Sequence, residues 1–293
     1  MTDHQEEYMS KILIAGATGN VGQHLVESLF NQGHSIRVLA RDSQRVRPIH
    51  RWVDDVIIGD VTNPSSLKNI CRGVDTIISA VGAKSKLMTF QRGSYLDVDF
   101  LGNLNLLNEA KAHKVKKFAY VSVFSNKEID YLDYVVCHKR FEEELMNSGM
   151  EHLIVRATPF FSAFQELFTL AKLGFLPTIG NGENQLNPIH PKDLADELLR
   201  LLPEKPTDLD IGGPKLYTRS EIFELAFRTL GKNPRFINLP NKLIEIKIKT
   251  AKIVYPRFAS YLSFITQLLQ VETVAPQYGK EFLEEYFSKL ATK

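Results

Sequence analysis

Three evenly spaced glycines, Gly16, Gly19 and Gly22, follow the apolar run Lys11-Ile12-Leu13-Ile14-Ala15. A helix-like segment with Val21, Leu25, Val26, Leu29 and Phe30 comes next, so the order is strand, tight turn, helix. Gly16 lets the chain leave the strand in a backbone geometry that a side chain would forbid. Gly19 leaves room for a pyrophosphate against the main chain, and Gly22 lets the helix pack close to the strand. The helix start offers unpaired N–H groups and a partial positive charge, both favourable to phosphate. Such a turn can be purely structural, but here strand and helix flank it as a phosphate-binding turn requires. Gly16, Thr18, Gly19, Asn20, Val21 and Gly22 are therefore read as the pyrophosphate contact of a bound dinucleotide.

A second strand, Ser35–Ala40, ends in Arg41-Asp42, with Arg45 and Arg47 close behind. At that position an acidic residue accepts from a free ribose 2′-hydroxyl, whereas an arginine accommodates a 2′-phosphate. Arg41 follows the strand directly and carries a fixed charge in a fork that matches phosphate. NADP(H) is therefore expected over NAD(H). Asp42 argues the other way, and a solvated loop cluster is the plainer account of the three arginines.

Four more strands follow at Val53–Val61, Asp75–Gly82, Lys117–Val123 and His152–Arg156, with helical segments between most of them. Pro64–Arg72 reads as a short helix, Ser94–His113 as a long one and Asp130–Asn147 as another. Alternating strands and helices predict an α/β fold, a Rossmann-like doubly wound parallel sheet. Ligands in such sheets bind at the carboxyl ends of the strands. Asp60 and Val61 would border the adenine, and Ala80, Val81 and Gly82 the nicotinamide ribose, though each also reads as an ordinary strand terminus. The polar loop Ala83–Gly93, with Lys84, Lys86 and Arg92, reads as a substrate contact or a lid.

The expected organisation is a loose tail at residues 1–10 and a dinucleotide-binding domain at 11–160. A smaller, mostly helical lobe at 161–293 is expected to interleave with the end of the sheet. Formal net charge is +2 over 293 residues, without a basic face, which disfavours nucleic acid as a partner. Cys71 and Cys137 suggest no disulfide framework and fit a reducing, cytoplasmic compartment. No 18-residue apolar span or cleavable signal is evident, and no metal-ligand cluster is expected. Residues 241–255 are basic and helical in period. A core-packing helix is the favoured account, with peripheral membrane contact the lesser one. Phe160, Phe161, Phe164, Phe168 and Phe175 suit an apolar substrate pocket or a core equally well.

The chain resembles the atypical short-chain dehydrogenase/reductases, on the NmrA-like side that includes the accessory subunit of respiratory complex I. The resemblance rests on Gly16–Gly22, Arg41-Asp42, Gly59-Asp60-Val61, Ser122, Lys139 and Arg156–Phe160. Ile189–Ala195 and Gly212-Gly213-Pro214 extend it. It implies nicotinamide near Ser122, Lys139, Pro159, Phe160 and Phe161, with Lys139 and Ser122 as catalytic candidates. It also implies a lobe-positioning role for His190 and Asp193, with Asp193 starting a helix.

One departure bears on activity. The superfamily signature Tyr-x-x-x-Lys would place a phenol and an ammonium on one helix face, but Val135 stands four residues before Lys139. Tyr134 is five before it, about 140° away around an α-helix. Two readings follow. Lys139 acts without tyrosine in an NADP(H)-dependent oxidoreductase, transferring hydride to a small apolar carbonyl, quinone or conjugated compound. Alternatively, the protein binds NADP(H) as a non-catalytic sensor, regulator or assembly protein. For Lys139 the plainer account is a surface pair with Glu143, and His138 beside it is expected to face solvent.

Overall fold

The computed structural model describes residues 10–83, 94–205 and 207–292. The expected loop at 84–93 and the tail at 1–9 lie outside them. Six strands run β1 Lys11–Ala15, β2 Ser35–Ala40, β3 Asp55–Ile58, β4 Thr76–Ser79, β5 Lys117–Val123 and β6 Glu151–Ala157. Short strands β7 Leu176–Thr178 and β8 Gln185–Leu186 follow, then β9 Thr207–Ile211, β10 Tyr217–Thr218 and β11 Phe236–Asn238. The helices are α1 Asn20–Asn31, α2 Asn103–Ala112, α3 Asp133–Met146, α4 Gln165–Leu173 and α5 Pro191–Leu201. They continue with α6 Arg219–Thr229, α7 Asn241–Val254, α8 Pro256–Leu268 and α9 Leu283–Ala291.

The main sheet has seven parallel strands in the order β3-β2-β1-β4-β5-β6-β9. The chain reverses direction across the sheet at the β1–β4 pair, where ligands gather in such folds. Both faces are covered, so alternate residues of each strand enter different cores. Ile12 and Ile14 pack with Val21, Leu25, Leu194 and Leu198 on the α1–α5 side. Leu13, Phe118 and Tyr120 pack with Leu106, Phe141 and Leu145 on the α2–α3 side. A third core, built on Phe161, Phe164, Phe168, Phe223, Phe227 and Phe287, belongs to the second lobe. Burial of these phenylalanines decides between core and pocket lining, while Phe175 stays 39% exposed.

Several local expectations change. The segment Pro64–Arg72 forms only a 3₁₀ turn at Pro64–Leu67. Ser43–Trp52, read as loop, is also 3₁₀, with the Asp42 carboxylate accepting from Gln44 N–H at its start. The long helix at Ser94–His113 opens with a wide π turn, Leu96–Gly102, before α2. Helix α5 starts at Pro191 and not at Asp193; His190 is its N-cap and accepts from Lys192 N–H. Asp193 instead accepts from Lys280 and Glu281 N–H, tying down the chain before α9. Helix α7 packs on α8 but leaves Ile246 and Ile253 exposed, so the core-packing expectation holds only on part of its surface. No helix among the described residues is long and apolar enough to cross a membrane.

Packing is tight at the glycine turn. A Cβ on Gly22 would sit 2.2 Å from Gly16 O, against backbone that cannot give way. Gly22→Ala is expected to lower stability by about 1–3 kcal/mol, the usual range for overpacking. A urea midpoint unchanged from the parent would show that α1 does not meet the strand this closely.

Candidate dinucleotide site

The turn after β1 is shaped by two contacts. Gly16 has φ +83°, and a Cβ there would lie 2.5 Å from Ala80 O, so the turn presses against the exit of β4. Gly19 donates its N–H to Gly16 O at 2.9 Å and precedes α1 as its N-cap. No side chain caps α1, and its first turn carries no acid. Its leading N–H groups are thus left for another acceptor. Asn20 donates to Ser162 Oγ at 2.9 Å, joining this turn to the chain that enters the second lobe.

Above the turn opens a cleft of about 750 Å³. This falls within the usual range for small-molecule and cofactor sites. Gly16, Thr18, Gly19, Arg41, Asp60, Val61, Ala80, Val81 and Gly82 all line it. Val21 and Gly22 are buried behind the turn. Arg41 and Arg45 lie at the end of β2, both exposed and both on the cleft wall. Asp42 caps the 3₁₀ segment and does not line the cleft, whereas Asp60 and Asp97 do. Asp60 accepts from Thr62 N–H and Oγ1 at 2.9 and 2.8 Å, shaping the turn after β3. These residues fit a dinucleotide: the glycine turn leaves the backbone approachable, and fixed cations flank the far end.

The residues expected near nicotinamide are placed differently. Among the described residues, Ser122, Lys139, Pro159, Phe160 and Phe161 do not line this cleft. Ser122 is 4% exposed and donates to Glu142 at 2.5 Å, and Glu142 holds Arg156 at 2.7 Å. Lys139 Nζ stands 2.6 Å from Asp130 and is 41% exposed; its partner is Asp130 and not Glu143. Burial opposes ionisation of Asp130, but hydrogen bonds from Lys139 and Ser125 outweigh it and hold the carboxyl below its usual range. Pro159 and Phe161 exchange backbone hydrogen bonds with Ile189 at 3.0 and 3.1 Å. The Phe161 ring packs edge-on against His190.

The expectation that His138 faces solvent is overturned: it is 3% exposed. Tyr134, His138, Phe141 and Leu145 share one stripe of α3, and that stripe faces the sheet. His138 Nδ1 meets Tyr120 Oη at 2.5 Å, and Nε2 lies 3.2 Å from Asp99 Oδ1. Asp99, fully buried in the π turn, also accepts from Ala83 N–H. Ser79 and Asn103 extend the same network. Burial, and then Asp99, push the Tyr120 phenol well above its ordinary pKa. This chain of buried polar groups braces the Gly82–Ala83 edge of the cleft. Its signal in the sequence was Asp99 and Asn103, four residues apart in one helical segment, together with His138 on the apolar stripe.

A parallel sheet with a glycine turn beneath a cleft at its switch point defines a dinucleotide-binding protein of the Rossmann type. A family model described as NAD(P)H-binding matches residues 16–202, more than half of the chain, and the chain belongs to that family. The match agrees with the resemblance to atypical short-chain dehydrogenase/reductases. Photosystem II assembly factor Ycf39 of Cyanophora paradoxa is 24% identical, spanning 95% of this chain and 92% of its own. Divinyl chlorophyllide a 8-vinyl-reductase of Arabidopsis thaliana is 26% identical, spanning 95% and 76%. In fold, the chain is similar to Citrobacter triphenylmethane reductase complexed with NADP(H), with TM-score 0.74 and 16% identity over 96% of this chain and 99% of that one.

The buried network carries its own test. His138→Phe keeps an aromatic ring but leaves Tyr120 Oη without its partner and takes the imidazole away from Asp99. Leaving such groups unpaired costs about 3 kcal/mol. Urea denaturation measures it, and a change below about 0.5 kcal/mol would mean that the network is not formed.

Proposed function

We propose that the protein is an NADPH-dependent oxidoreductase that reduces a small apolar carbonyl, quinone or conjugated compound. The observation that carries the cofactor preference is the far end of the cleft. Arg41 and Arg45 line it, while the neighbouring acid, Asp42, is consumed as a helix cap. A 2′-phosphate would meet two fixed cations there and no carboxylate from Asp42. Gly16–Gly22 would hold the pyrophosphate, Asp60 and Val61 the adenine side, and Ala80–Gly82 the ribose next to nicotinamide.

A bound NADPH would supply the hydride for the electrophilic atom of the substrate, and one proton would complete the reduction. Lys139 is the candidate donor of that proton or an anchor for the ribose. The Asp130 carboxylate keeps its ammonium in one place. Ser122 is committed to Glu142 and is assigned a positioning role. The reductase among the relatives supports this reading.

A second reading is a non-catalytic NADP(H)-binding regulator or assembly protein. Val135 in place of the signature tyrosine favours it, as do the absence of Lys139 and Ser122 from the cleft lining and the assembly factor among the relatives.

Calorimetric titration with NADPH and NADH tests the cofactor assignment. The parent should prefer NADPH. Replacing Arg41 and Arg45 by alanine should weaken NADPH binding on the order of tenfold to a hundredfold and leave NADH binding unchanged. Equal affinities in the parent would remove the Arg41 assignment. Turnover with NADPH over a panel of quinones, enones and aromatic aldehydes separates the two readings. Lys139→Ala should then lower kcat on the order of a hundredfold, the usual contribution of a proton donor. Unchanged turnover would exclude Lys139 from the chemistry. Tight NADPH binding without turnover on any member would favour the second reading.

A further inference from the structure

The net charge of +2 conceals an uneven distribution along the chain. Residues 228–271 carry eight lysines and arginines and one acid, Glu245, a net charge of +7. The rest of the chain therefore sums to −5. The basic stretch contains the hairpin formed by α7 and α8.

Helix α8 is the inner member of that hairpin. Its Ser260 donates to Asp133 at 2.7 Å, at the start of α3, and its Ala259 and Thr266 are buried. Helix α7 packs on α8. Its exposed residues Lys242, Ile246, Lys249, Thr250 and Ile253 fall within an arc of about 100° around the helix. Ile248 and Ala251, both half-buried, lie on the opposite side. Ile246 and Ile253 are 60% and 84% exposed and sit about 20° apart on the outer arc, two turns from one another. The helix thus has apolar residues on two sides. One side is turned inward, and the other holds isoleucines in water between lysines.

A lipid surface satisfies both features of the outer arc. Isoleucines enter the acyl boundary, while lysine stems lie along it and their ammonium groups reach the headgroups. The basic stretch is drawn to anionic headgroups, and the acidic remainder is repelled, so the molecule is oriented before contact. Nucleic acid phosphates would pair with the lysines but leave the isoleucines in water. A second copy meeting the same face would set lysine against lysine.

We propose that α7 docks the protein on an anionic lipid surface. The helix lies in the plane of the interface, with Ile246 and Ile253 in the acyl boundary and Lys242 and Lys249 at the headgroups.

The test is co-sedimentation of the full chain with two kinds of vesicle, phosphatidylcholine alone and an equimolar mixture of phosphatidylcholine and phosphatidylglycerol. The parent should bind the mixed vesicles, bind phosphatidylcholine far more weakly, and lose affinity as salt is raised. The double variant Lys242→Gln, Lys249→Gln should bind the mixed vesicles on the order of tenfold more weakly. The double variant Ile246→Ser, Ile253→Ser should weaken binding by at least as much. All four side chains are exposed, so both variants should keep the parent's circular dichroism spectrum and urea midpoint. Equal binding to the two vesicle types, or none to either, would overturn the proposal. So would parent-like binding by either double variant. Binding to duplex DNA or to polyglutamate but not to the mixed vesicles would assign the face to a nucleic acid or an acidic protein instead. No dinucleotide is present in this experiment, so its outcome is separate from that of the NADPH titrations.

Discussion

The close approach of α1 to the exits of β1 and β4 is the constraint on which the rest of the structure depends. A Cβ on Gly16 would meet Ala80 O, and one on Gly22 would meet Gly16 O. Both contacts are with backbone, so neither neighbour can move aside as a side chain would. The approach points the leading N–H groups of α1 at the space above the switch between β1 and β4. Because the sheet is parallel, every strand delivers its carboxyl end to that same edge. Arg41 after β2, Asp60 after β3 and Ala80–Gly82 after β4 therefore converge on one cleft.

Buried polar groups on the α3 side stiffen this arrangement. Asp99, His138 and Tyr120 satisfy one another between the π turn, α3 and β5. Ser122, Glu142 and Arg156 do the same farther along, between β5, α3 and β6. Such groups are tolerable inside where they find partners; unpaired, they would destabilise the fold. The same pairing draws Ser122 away from the cleft. Arg219 is the contrasting case, since only one of its three nitrogens is engaged.

Backbone hydrogen bonds to a few buried side chains tie the segments that follow β6 to one another. Asn187, fully buried, donates to Gly213 O and Ala275 O and accepts from Ala275 N–H. Asp193 receives the N–H groups of Lys280 and Glu281. Strand β9 returns to the main sheet beside β6.

Local patterning determined the α/β alternation, the glycine turn and the position of Arg41, because turn chemistry and strand periodicity act over a few residues. The extents of β2 and β5 were legible for the same reason. Tertiary packing alone decided which polar residues are inside. His138 reads as a surface residue until α3 is docked, because the partners that make its burial tolerable, Asp99 and Tyr120, lie 39 and 18 residues away along the chain. The partner of Lys139 was misread likewise, since Glu143 is near in sequence but Asp130 is nearer in space. The fate of Asp42 as a cap, and the isolation of Arg219, also depended on the fold. Sequence spacing states which groups can meet along one element; only the packing of separate elements selects which of them do, because desolvation must be offset by whatever group the opposing surface supplies.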